Sequence, residues 1–160
     1  MKPELKKMEA FPAVGYCLAP PEGDFNALDS SAYWLGKDFS SVSSEDYAKL
    51  SDPNLGEIGA WINPDKVSGA FHYFFGPKVN EKGFIPAGLE AIDVPSAEYA
   101  VFSVPKAESA QELSGNIGTV MKSIFSDWLE TSEYTLEEGK FVFEYYFGED
   151  TFIYVPVVNK

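Results

Sequence analysis

A chain of 160 residues with 45% hydrophobic and 23% charged side chains has an ordinary globular composition and enough length for one domain with a sizeable core. Its net charge is −13, from 25 acidic against 12 basic residues, and every basic residue is lysine; without a basic stripe or a guanidinium fork, nucleic acid is not an expected partner. A single cysteine, Cys17, excludes an internal disulfide and a Cys-pair zinc site.

No apolar run approaches the roughly 18 residues of a membrane span, and the first residues lack the pattern of a secretory leader, so no membrane partner and a cytoplasmic location are expected. The aromatic share is the outlier: 13 Phe, 9 Tyr and 3 Trp, or 16% of the chain. Tyrosine has an apolar body and a polar tip, which suits half-exposed walls.

In chain order, "AVGYCLA" (13–19) reads as a strand, with Cys17 as a small packed residue. Residues 28–42 have helical spacing through Leu28, Ala32, Leu35, Phe39 and Val42, with Asp29 or Ser30 as the cap. A loop containing Pro53 follows. "EIGAWI" (57–62) and "AFHYFFG" (70–76) read as two strands, and 80–88 as a connector. "LEAIDVP" (89–95) and "EYAVFSVP" (98–105) read as strands. Residues 114–130 carry the strongest helical signal, through Ile117, Val120, Met121, Ile124, Phe125, Trp128 and Leu129. "KFVFEYYFG", an "ED" turn and "TFIYVPVV" read as a hairpin.

The order βαββ therefore occurs twice, in a first half of about 8–87 and a second of about 88–160. Each helix carries a tryptophan, Trp34 and Trp128, read as core anchors. Two helices of this length cover one face of a sheet of about eight strands; the other face is solvated or curves around something. The expected class is α+β: one domain over 1–160, a mainly antiparallel curved sheet, two main helices on one face and a ligand cleft on the other.

Glu144 stands amid the rings of "FVFEYYFGED" (141–150), where an ion is costly to bury. By alternation Val142, Glu144 and Tyr146 share one face, and Phe141, Phe143, Tyr145 and Phe147 the other. The all-aromatic set is the expected partner of helix 114–130, which turns Glu144 and Tyr146 to the helix-free face. The repeat places Trp61 near the same space. His72 and Phe74 alternate with Phe71, Tyr73 and Phe75; alternation leaves open which set faces the cleft, and His72 and Phe74 are taken as candidate lining residues. A carboxylate at the floor of a ring-walled bowl offers a flat cation stacking, cation–π attraction and a charge partner. Left unpartnered, it has a raised pKa and suits acid–base chemistry.

The stretches "IPAGLEAIDVPSAEYAVFSVP", "IFSDWLETSEY", "FVFEYYF" and "FIYVPV" resemble the GyrI-like small-molecule-binding domain, the effector-binding module of AraC-type and MerR-type multidrug regulators, here without a helix-turn-helix region. The matching residues are Tyr99, Ala100 and Val101; Trp128, Leu129 and Tyr134; Phe143, Glu144 and Tyr146; and Val155 with Pro156. Glu130 departs from the proline common at its position. The resemblance implies paired βαββ units about a pseudo-twofold axis and a cleft glutamate at Glu144 with Tyr146 beside it. It also implies a bulky aromatic, cationic or amphipathic ligand, held by sequestration or for a separately encoded regulator.

Three alternatives stay open. One is a hydrolase of reactive cyclopropane-bearing alkylating toxins, with Glu144 and Tyr146 catalytic. Another is an interaction protein of the gyrase-inhibitor kind. In the third, His72 is an axial haem or metal ligand. No cofactor and no metal is the expected state.

Overall fold

The computed structural model describes residues 1–18, 44–50, 52–62 and 72–160. Among these, nine strands form one antiparallel sheet. The strands are β1 (Glu4–Met8), β2 (Phe11–Leu18), β3 (Glu57–Ile62), β4 (His72–Pro77), β5 (Glu90–Val94), β6 (Ala97–Val104), β7 (Tyr134–Leu136), β8 (Phe143–Phe147) and β9 (Asp150–Asn159). Helix α1 is Ser44–Leu50; α2 (Ala110–Ser123) continues through a widened turn, Ile124–Trp128, into the short α3 (Leu129–Thr131). The α+β class is the one the sequence pattern predicts. The helix expected at 28–42, and Trp34 on it, lie outside the described residues.

The strand order is β1-β6-β9-β8-β3-β4-β2-β5, with β7 added beside β9. Outward from the central pair, β8, β9, β6, β1 on one side are matched by β3, β4, β2, β5 on the other. The repeat is thus visible in the topology, with its edges exchanged. β1 precedes the first half yet pairs with β6, and β5 follows it yet pairs with β2.

The sheet is curled. β8 and β2 are three strands apart, about 14 Å in a flat sheet, yet the rings of Phe11 and Phe143 meet edge-on at 6.0 Å. Lys6 and Met8 of β1 share a cavity of about 70 Å³ with Phe11 of β2, Lys78, Phe143, Tyr145 and Tyr154, although β1 and β2 sit near opposite ends of the order. The curl needs close backbone approach where β2 leans over β4. A Cβ on Gly15 would stand 2.2 Å from the Phe75 carbonyl oxygen, and one on Gly76 2.4 Å from that of Val14.

The concave side is packed with Phe11, Ile58, Phe74, Tyr99, Phe143 and Tyr154, held together by edge-on and stacked ring pairs. The convex side carries the helices. At one end, α2 and its continuation cover Ala100, Phe102, Ile153 and Val155. At the other, Leu50 and Tyr47 of α1 pack with Val14 and Tyr16 of β2.

This reverses the expected faces. Val142 packs in the helix-side cluster, and Glu144 lies directly opposite Ile153, a member of the same cluster. The aromatic set Phe143 and Tyr145, with Phe141 packed against it, fills the concave side instead. Phe147, its fourth member, is exposed. A curled sheet closes a core on its own concave face, so an all-aromatic stripe does not need a helix.

Local differences have local causes. α2 begins at Ala110 because the Ser109 hydroxyl caps it, accepting from the Glu112 N–H at 3.1 Å. In the widened turn the Leu129 N–H bonds to the Ile124 carbonyl, five residues back. The extra residue brings both Trp128 and Leu129 onto the sheet and leaves Phe125 exposed, contrary to its place in the helical pattern. Residues 44–50, read as loop, are helical, with Glu45 and Asp46 in the first turn and Lys49 in the last. β1 and β7 were not anticipated; both are short and lie mostly exposed. The β8–β9 turn falls at Gly148 and Glu149, one residue before the "ED" expected.

Candidate functional site

The centre of the sheet is the pair β3–β8, and its register sets Gly59 directly opposite Glu144. Both lie on the convex face, between the end covered by α2 and the end covered by α1. The sequence places a carboxylate on β8; the absence of a side chain on β3 makes room for it. A Cβ on Gly59 would stand 2.4 Å from the Tyr73 hydroxyl and 2.9 Å from Glu144 Oε2. Only glycine lets those two groups meet above the strand.

They do meet. The Tyr73 hydroxyl donates to Glu144 Oε2 at 3.0 Å, and the Tyr146 hydroxyl donates to the same oxygen at 2.6 Å. Glu144 is 7% exposed. Among the described residues Oε1 accepts no hydrogen bond. Burial pushes the carboxyl above the ordinary glutamate range, while the bonds from Tyr146 and Tyr73, which favour the ionised form, pull it down. Burial and the neighbouring carboxylate push the Tyr146 hydroxyl up, so it stays a proton donor to Glu144.

Aromatic rings border this group. Trp61 lies directly opposite Tyr73 and meets it edge-on at 4.8 Å. Phe75 leans on Tyr146 at 5.9 Å. Toward α1, Tyr16 and Tyr47 stack at 5.8 Å. Glu57, directly opposite Tyr146, adds a second, half-buried carboxylate whose pKa is also raised by burial.

Of the residues singled out in the sequence, Glu144, Tyr146 and Trp61 share this face. His72 and Phe74 do not. His72 lies opposite the buried Ile62, and Phe74 is fully buried in the concave core. Trp128 stands against Phe102 at 5.0 Å and Tyr134 at 5.9 Å as a core anchor. Tyr73 and Gly59 were missed as contributors. The available signal was a glycine inside the strand "EIGAWI", which marks close approach of another group. Among the described residues no three His, Cys, Asp or Glu side chains cluster to hold a metal ion, and no helix is long and apolar enough to cross a membrane.

Solved structures share this fold. SAV2435, solved bound to tetraphenylphosphonium, is 17% identical and aligns over 99% of this chain and 94% of its own, with a TM-score of 0.73. An integron cassette protein from the mobile metagenome of Vibrio cholerae is 16% identical over 99% of this chain and 97% of its own, with a TM-score of 0.65. The C-terminal domain of EcmrR is 15% identical over 99% and 98%, with a TM-score of 0.58. A search of curated protein sequences returns no match. The model of the family described as Cass2, integron-associated effector binding protein, matches residues 35–157; the chain belongs to that effector-binding family, in keeping with its resemblance to GyrI-like domains.

Proposed function

We propose that residues 1–160 act as one effector-binding unit that takes a bulky, aromatic, lipophilic cation over Glu144, for sequestration or for sensing by a separate regulator. The observation that carries this reading is the buried carboxylate with one oxygen held by two tyrosines and the other accepting no hydrogen bond among the described residues, bordered by Trp61, Tyr73, Phe75 and Tyr146. Desolvation makes an uncompensated carboxylate costly. A cation with an apolar shell offsets that cost and stacks on the rings. The tetraphenylphosphonium held by SAV2435, a protein of the same fold, has this chemistry.

The test compares tetraphenylphosphonium with neutral triphenylphosphine oxide by calorimetric titration of the wild type and Glu144→Gln. The variant is expected to lose about tenfold or more in affinity for the cation and little for the neutral compound. Equal losses for both would remove Glu144 from recognition.

Glu144 Oε1, which accepts no hydrogen bond among the described residues, also supports a second reading, in which it takes a proton from water that attacks an electrophilic, cyclopropane-bearing ligand. The same variant separates the two: under hydrolysis, Glu144→Gln abolishes turnover of such a compound while the neutral ligand still binds.

A further inference from the structure

The chain has one cysteine and one histidine, 55 positions apart, and the fold brings them together. Cys17 Sγ stands 3.8 Å from His72 Nδ1. Cys17 comes from β2 and His72 from β4, adjacent antiparallel strands in which Cys17 lies opposite Phe74; His72 is therefore its diagonal neighbour on the same face. That face is the concave one, so this pair and Glu144 lie on opposite sides of the sheet. Both side chains are half-buried and line a cavity of about 430 Å³ with Ile62, Glu90, Ala91 and Ile92.

We propose that Cys17 and His72 form a two-donor site for a soft, monovalent d10 metal ion, of the Ag⁺ and Cu⁺ class. Sulfur and imidazole nitrogen are the donors such ions prefer, and thiolate selects them over hard cations. The number of donors decides the class. A structural zinc site needs four ligands, and no cluster of three occurs among the described residues. Two donors satisfy an ion that accepts linear or bent coordination.

The spacing agrees. With metal–sulfur and metal–nitrogen bonds of about 2.3 and 2.0 Å, the zinc values taken as a guide, atoms 3.8 Å apart are bridged at an angle of roughly 125°. A few tenths of an ångström of side-chain movement opens that angle further. Binding replaces the thiol proton: the S–H bond breaks, the sulfur–metal bond forms and H⁺ leaves to solvent, with no change of oxidation state. Ile62, Ala91 and Ile92 give the ion an apolar surround. Burial and the Glu90 carboxylate push the Cys17 thiol up to about 12, so the ion has to displace the proton rather than meet a free thiolate, after which Glu90 stands beside the bound cation. The site is independent of the reading given for Glu144.

The experiment uses the full chain and Ag⁺ in chloride-free buffer. Native mass spectrometry gives the stoichiometry, competition with a soluble thiol the affinity, and ¹⁵N NMR of the single histidine the nitrogen involved. One Ag⁺ per chain is expected, with a large shift of the His72 Nδ1 resonance. Cys17→Ser should abolish stoichiometric binding, and His72→Ala should weaken it at least about tenfold. Binding to His72→Ala as tight as to the wild type would reduce the site to a bare thiol and overturn the proposal. An unmoved Nδ1 resonance in the wild type would do the same, whether or not the variants fold.

Discussion

Burial raises the proton affinity of Glu144, and two tyrosine hydroxyls oppose the rise without cancelling it. The consequence for stability has a definite sign. Below the pKa of an unfolded glutamate, about 4.3, the group is protonated in both states. Between there and the raised native value only the native state holds the proton, so stability falls as pH rises through that window. Above it the carboxylate is a net burden on the fold. Thermal denaturation should therefore show Glu144→Gln melting above the wild type at neutral pH, with the difference shrinking toward about pH 4. A variant that melts lower at neutral pH would mean that the two hydroxyls outweigh desolvation. The carboxylate itself stood out in the sequence as an ion among rings. Its partner Tyr73 did not, because alternation alone does not say which of "HYFF" turns to the convex side.

Helix α2 shows what periodicity reads well and what it cannot. The stripe from Ile117 to Leu129 is legible because a helix against a sheet needs an apolar face. The widened turn is not, because it changes the period by one residue only locally, and it turns Phe125 outward. At the other end of the helix, the Ser109 hydroxyl satisfies the Glu112 N–H, and the Glu112 carboxylate accepts from the Glu108 N–H at 2.9 Å. Ser109→Ala should cost about 1 kcal/mol in urea denaturation and leave ligand titrations unchanged, since the cap lies on the exposed end of α2. Strand alternation has a similar limit. It sorts Phe143 from Glu144 correctly, but the sorting is symmetric, and only the direction of curl decides which set meets the helix. That direction depends on contacts between distant strands, such as Phe11 with Phe143, which no local window contains.

At the scale of the molecule, the exchanged edges bind each half to the other. β1 pairs with β6 over five residues, Glu4 to Met8, and Met8 packs against the concave core. Little in "ELKKM" advertises this, since three of its side chains are charged and all but Met8 are exposed; the strand exists because β6 offers an unpaired edge. Removing residues 1–8 should lower stability by about 2–3 kcal/mol, or roughly 5–10 °C in Tm for a chain of this size. The uncovered edge of β6 should also promote self-association, visible by sedimentation velocity. An unchanged Tm and a strictly monomeric truncated chain would show that β1 is dispensable. The twofold character of the sheet was readable from the repeated order of elements; the exchange was not, because pairing partners far apart in sequence leave no local signature.

The matched halves meet at β3 and β8, where Gly59 faces Glu144. Perfect mirroring there would set two acids against each other across a few ångströms, and the two could not both stay ionised. The molecule escapes by unequal inheritance: one half keeps the charge and the other keeps only the vacancy above its backbone. If the guest sits over Glu144 as proposed, a framework with two equivalent sides offers it one seat, and saturation should come at one guest for every chain.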